Sequence, residues 1–321
     1  RASIIDNCTH LDQLAVQAKI SVVKACLLEE LVPKISRYSN TQNNVNEADF
    51  ASNDPFHISI EHLANTVWSP GEQSRWFYER ARGQYEVAKH RSGVTKAKKG
   101  NFEEQTPKAQ KFSKVDLAKF YNCWDQKPDI ASRGSQKSFV AFMTNIACDH
   151  PNFKPDEEFY KCLIAKAIIY KAAQKIATKH KFPGYRANAV AYTLSLVAFK
   201  TVGRINLKAI WDQQDISGAL RDVITEWMPI VWNTIISSAG TRNVTEWAKK
   251  VDCWHEIQLL DVSLTPEMDD ELLAGDPLPT VGKVARGGRA AELSTLDRQN
   301  INRVIRQKPE FLLQLGMWGK K

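Results

Sequence analysis

Two long helical periods, separated by Pro183-Gly184, constrain this chain more than anything else in it. Over residues 157–179, Phe159, Leu163, Lys166 and Tyr170 recur at helical spacing behind a Pro155-Asp156 start that offers a capping carboxylate. Residues 185–202 are apolar on almost every face, the pattern of a buried helix. Such a helix has to be enclosed by others, so the expected fold is mainly α. More helical sequence follows at residues 205–213 and 216–236, with Pro229 expected to interrupt the second. Asn243 and Glu246 are spaced as a capping pair, and Trp247, Val251 and Trp254 mark one face beyond it. Six of the nine Trp residues come after Trp124, which suits a helical core with bulky fillers.

The first third reads differently. Residues 14–22 alternate, with Leu14, Val16, Ala18, Ile20 and Val22 on one side, as in a strand with one buried face. Residues 25–38 read as a helix broken or kinked at Pro33. Asn53-Asp54-Pro55 is a helix start, and Phe56, Ile60, Leu63 and Val67 are its stripe. Trp76-Phe77-Tyr78 opens a helix or forms a short strand; both readings stand at this point. The polar run at residues 96–100 reads as a surface loop. Ser113 and Asp116 resemble a capping box that starts a helix ending near Trp124. The expected architecture is a small α/β segment at the N-terminal end followed by a large multi-helix domain. The expected divisions are residues 1–140, a helical domain at 141–258, an acidic to Gly-rich linker at 259–290 and a helical tail at 291–321.

No apolar run approaches the ~20 residues that a membrane helix needs. None of the six cysteines forms a C-x-x-C pair, and their scatter suits reduced thiols in the cytoplasm, with no membrane partner. His57 and Glu61-His62 give H-x-x-x-E-H, which is neither zinc-helix pattern, and His57 and His62 would not share a helix face. Asp125-Gln126-Lys127 is the one acid-x-Lys candidate for a magnesium nuclease, but its companion acids follow it rather than precede it. No catalytic residue, metal ligand or cofactor is therefore assigned in this chain.

The net charge is +8 and unevenly spread. Residues 75–119 hold twelve Lys/Arg against five Asp/Glu, residues 261–276 six acids and no base, and residues 283–321 nine bases against three acids. Patchy basic charge is the electrostatic footprint of a polyanion partner, DNA or RNA. The expected basic face is Arg75, Arg80, Arg82, Lys108, Lys111, Lys114, Arg133 and Lys137. Arg75, Arg80 and Arg82 interleave with Trp76, Tyr78 and Tyr85, the mixture that grips unpaired strands. Arg133-Gly134-Ser135-Gln136-Lys137 before an apolar helix suggests an anion seat to which Gln136 contributes. Residues 39–46 are almost wholly hydroxyls and amides, and Asn40, Gln42 and Asn43 are the candidates to position backbone or base.

The segments N-T-Q-N-N-V-N-E-A-D-F, D-P-F-H and W-F-Y-E-R-A-R-G-Q-Y, with Q-K-F-S-K-V-D-L-A-K-F, S-R-G-S-Q-K-S-F and P-G-Y-R-A-N-A-V-A-Y, resemble the AIPR (abortive infection phage resistance) family of prokaryotic defence proteins. The likeness runs in order through residues 34–254. It implies a role in phage defence and carries over no catalytic residue. The chain begins with Arg1 in structured-looking sequence, so it reads as the C-terminal portion of a longer protein. Three functions follow from this reading. The first is nucleic-acid binding or sensing through the basic face. The second is a nuclease using Mg²⁺, with its active site mainly in a preceding domain. The third is a helical scaffold joining other defence-system subunits.

Overall fold

The computed structural model describes residues 51–93, 95–149 and 153–274, together with Lys24, Leu27 and Ala48. The chain divides into two compact units, residues 1–45 and 46–321, and the described helices and strands belong to the second. The strand read at residues 14–22, the helix at 25–38 apart from Leu27, and the amide run at 39–46 lie outside the described residues.

The architecture is mainly α, as the periodicity implied, with one two-stranded parallel sheet. Asp54 caps α1 (Pro55–Thr66) by accepting from the Phe56 backbone at 2.8 Å, and Pro55 occupies the first turn, where its missing N–H costs nothing. Trp76-Phe77-Tyr78 resolves as a strand: β1 (Phe77–Glu79) pairs with β2 (Lys111–Ser113), Tyr78 opposite Phe112. Parallel strands need a long crossover, and here it is a helical hairpin, α2 (Gln84–Arg91) and α3 (Lys96–Gln105). Residues 96–100 are thus the first turn of a helix rather than the expected loop. Thr95 caps it, and Phe102 anchors it against Tyr85 and Phe77 at ring separations of 5.4 and 6.2 Å.

Beyond β2 the chain is helical throughout the described residues. Ser113 and Asp116 close a reciprocal capping box on α4 (Lys114–Trp124), followed by α5 (Pro128–Ser132) and α6 (Ser135–Asp149). Residue 140, the expected edge of the family core, lies inside α6. The two long helices are α7 (Glu157–Lys179), capped by Asp156, and α8 (Arg186–Lys200). Every side chain from Ala189 to Phe199 is buried, because α4, α5, α7, α10 (Gly218–Ala239) and α12 (Val251–Gln258) surround α8. Its polar groups are answered from those neighbours: Ser195 Oγ donates to the Cys123 carbonyl at 2.8 Å and Tyr192 Oη to that of Ala248 at 2.9 Å.

Pro229 lies within α10 without ending it. Trp227, Met228 and Val231 are buried on either side of it, so packing outweighs the lost hydrogen bond. α9 (Leu207–Gln213) and α11 (Val244–Trp247) complete the shell. Residues 266–274, part of the expected linker, form α13 (Pro266–Ala274), which buries Met268 and Leu272. Of the three residues expected to line one face, Trp247 and Trp254 are buried and Val251 is 49% exposed.

Lys166 is the anomaly of this core. It is 7% exposed on α7, with its ammonium 4.9 Å from the centre of the Tyr121 ring, and burial holds its pKa below the usual lysine value. No carboxylate pairs with it among the described residues. A buried cation that meets a ring at close range and Asp125 only through its field is poorly compensated. Lys166→Met is therefore expected to raise the melting temperature by roughly 2–4 °C in a thermal denaturation scan.

Candidate functional site

Three of the family-like segments, D-P-F-H, W-F-Y-E-R-A-R-G-Q-Y and Q-K-F-S-K-V-D-L-A-K-F, come together near Arg80 at the end of β1. Its Nε donates to Glu61 Oε2 at 2.6 Å, and Nη1 donates to the Ser52 carbonyl at 2.5 Å and to Asn53 Oδ1 at 3.4 Å. The same carboxylate accepts from Gln84 Nε2 at the start of α2. Lys114, 5% exposed at the start of α4, places Nζ 2.5 Å from Ser52 Oγ. One guanidinium and one ammonium thus hold the short 3₁₀ turn Ala51–Asn53 against the sheet.

Beneath that knot sits His57. Its ring is buried between Tyr78 and Phe139, at centroid separations of 6.1 and 5.6 Å. Tyr78 Oη and Nδ1 are hydrogen-bonded at 2.7 Å, and Nε2 has no hydrogen-bond partner among the described residues. Burial, with Lys114 and Arg80 adding repulsion, holds the His57 pKa down to about 3, so the ring is neutral at physiological pH. His62, one turn on, is exposed on the other side of α1, so the two imidazoles do not converge. Among the described residues no group of three or more His, Cys, Asp and Glu is placed to hold a metal ion.

The expected basic face divides into three sets. Arg80, Lys111, Lys114 and Arg133 serve the fold. Lys111 Nζ lies 3.1 Å from Glu79, Arg133 Nη2 2.6 Å from Asp129, and Arg80 and Lys114 belong to the knot. Arg75 is also committed: it stacks on Trp68 at 5.2 Å and donates to the Asn65 carbonyl at 2.5 Å. Gln136 Oε1 accepts from the Ala48 backbone at 3.4 Å, so it tethers the segment before the 3₁₀ turn. Arg82, Lys108 and Lys137 are exposed. Arg82 and Lys108 flank the α2–α3 hairpin in sequence, whereas Lys137 acts electrostatically on Glu246, itself held down first by Lys249. Asn40, Gln42 and Asn43 lie outside the described residues.

The residues that sequence reasoning undervalued are Arg91, Lys98 and Lys99 on the hairpin. All three follow from the same charge count, but reading residues 96–100 as a loop hid their place on two successive helices. A separate cleft of about 460 Å³ lies between Trp68 and Trp211. The protein's own cations cover both indoles, Arg75 over Trp68 and Lys161 over Trp211 at 6.0 Å.

The family model described as AIPR protein matches residues 2–239. No curated protein and no solved structure matches the chain.

Two outcomes test the knot. Arg80→Ala strips Glu61 and the Ser52 carbonyl of their shared donor, and about 2–3 kcal/mol of stability should be lost in urea unfolding. The His57 contribution has a defined sign. Its folded pKa is lowered, so below about pH 6.5 the unfolded chain binds a proton that the folded chain refuses. Stability should therefore fall as pH drops from about 6.5 toward 3, by about 1.4 kcal/mol per unit from this group alone. His57→Gln should flatten that slope in urea titrations.

Proposed function

The chain belongs to the AIPR family, whose members serve in phage defence by abortive infection, and on that footing we propose that its described part binds nucleic acid, DNA or RNA, through the α2–α3 hairpin. The observation that carries this reading is how the basic charge is apportioned. In the knot and along β2 the cations are consumed by carboxylates and carbonyls of the fold. On the hairpin they face solvent: Arg91 ends α2, Lys98 lies on α3, and Lys108 sits on the 3₁₀ turn Lys108–Gln110 that follows. Lys89 is paired there, to Glu103 at 2.6 Å. An exposed ammonium or guanidinium is free to neutralise phosphate and release condensed counterions; one bridged to a buried carboxylate is not.

The hairpin is also a firm base for such a surface. Tyr85 and Phe102 pack on Phe77, and Tyr85 Oη donates to the Thr106 carbonyl at 2.8 Å, so the two helices are fastened to the strand pair. Gly93 turns the chain between them at a φ of 154°, where an added Cβ would collide with the stem of Lys98.

Fluorescence anisotropy with a labelled oligonucleotide measures the property directly. Affinity should fall roughly a hundredfold between about 50 and 200 mM salt, as four or so phosphate contacts require. The triple variant Arg91→Glu, Lys98→Glu, Lys108→Glu should weaken binding at least about tenfold and reduce the salt slope by about 2–3. No affinity at either salt concentration, or a triple variant that binds like the parent, would sink the proposal.

A further inference from the structure

Between Glu158 and Asp212 the sequence carries ten Lys/Arg and no Asp or Glu. Six of the ten are engaged within the fold. Lys161 and Lys208 pair with Glu157 and Asp212 at either end of the stretch. Lys166 is buried on Tyr121, Lys171 Nζ donates to the Lys111 carbonyl at 3.0 Å, Lys200 Nζ donates to that of Leu260 at 2.8 Å, and Arg204 has a partner of its own. The other four are Lys175, Lys179, Lys181 and Arg186. All are exposed, and none has a hydrogen-bond or ion-pair partner among the described residues. They fall together, where the last turns of α7 pass through a short loop into α8.

That loop is rigidly held. His180 stacks on Phe182 at 5.3 Å and 19°, Phe182 stacks on Trp232 at 5.1 Å and 11°, and Trp232 Nε1 donates to the Gly184 carbonyl at 2.9 Å. With those rings fixed beneath it, the loop directs Lys181, Tyr185 and Arg186 outward, and Tyr185 is 40% exposed. Beside it a cleft of about 250 Å³ opens between α7 and α8, with Gln174, Thr178 and Arg186 above a floor of Tyr170, Ala177 and Val190. An exposed phenol among four cations without acid partners, next to a small cleft with an amide, a hydroxyl and a guanidinium, has the parts of a single-strand grip. The ring stacks a base, the cations hold phosphates, and the amide edge meets a base edge.

The face also runs back along α7 to β2, the strand that follows the hairpin in sequence. Lys171, Lys175 and Lys179 are four residues apart, so they share one face of α7 over about 12 Å. Lys171 abuts β2 at Lys111, and both Lys175 and Lys111 repel its ammonium. We propose that the end of α7 and the start of α8 form a second contact for the same nucleic acid, one that selects unpaired strands through Tyr185, Lys179 and Arg186. This rests on the hairpin reading and adds to it the kind of strand bound.

Binding of labelled single-stranded DNA, single-stranded RNA and blunt duplex is measured for the parent chain and two variants. In one, Lys179→Glu and Arg186→Glu are combined. In the other, Tyr185→Gly removes the ring and keeps the left-handed backbone that Tyr185 adopts at a φ of 56°. The charge variant should weaken single-strand binding about tenfold and lower its salt slope by about 1.4, two contacts at ~0.7 each. Tyr185→Gly should cost roughly tenfold on single strands and little on duplex, with an unchanged melting temperature. The DNA and RNA arms identify which strand is preferred. Parent-like single-strand binding by both variants overturns this second contact and leaves the hairpin reading intact. No binding by the parent overturns both. Polyglutamate competing as well as the oligonucleotide would mean that the surface serves an acidic protein, which also overturns it.

Discussion

The structure depends on where Arg80 sends its guanidinium. From the end of a three-residue strand it reaches the Ser52 carbonyl and the Glu61 carboxylate, and Glu61 in turn takes Gln84. Within residues 52–84 that one planar group fastens the 3₁₀ turn and α1 to the end of β1, and its fixed fork of donors suits several oxygens at once. Lysine could not do the same, because its point charge has no such geometry. The Arg80 and Glu61 side chains are about three-quarters or more shielded, so their attraction is only partly screened by water.

A second consequence is electrostatic. Positive charge in this chain does two kinds of work, and burial separates them. Where a cation lies near the sheet, removing it from water without a partner would be costly, so Arg80, Lys111 and Lys114 are each answered by the protein itself. Where helices end at the surface, water answers the charge, and it remains available to a polyanion. The hairpin and the α7–α8 junction are both of this second kind, and both stand on aromatic supports: Phe77, Tyr85 and Phe102 for one, Phe182 and Trp232 for the other.

Much of the fold was legible in the residues. Asp54, Ser113, Asp156 and Asn243 cap the helices their positions announced, because a short side-chain oxygen before a helical period has few other uses. The apolar character of residues 185–202 announced the burial of Ala189 through Phe199. Three features escaped local reading for one shared reason. The helix at Lys96–Gln105, the unbroken helix through Pro229 and the helix at Pro266–Ala274 are stabilised by distant partners that no local window contains. Phe102 needs Tyr85 and Phe77, Pro229 needs the packed flanks around it, and α13 needs a groove for Met268 and Leu272.

By itself the sequence determined the helical class, the caps, the family likeness and the total positive charge, since each is a property of residue type and spacing. Only the tertiary structure decided which cations are spent on the fold and which face solvent. Arg80 and Arg91 are chemically identical and eleven positions apart. One is locked to Glu61 and the other is exposed on α2. That difference is set by desolvation and by neighbours brought from elsewhere in the chain, and neither exists until the chain has folded.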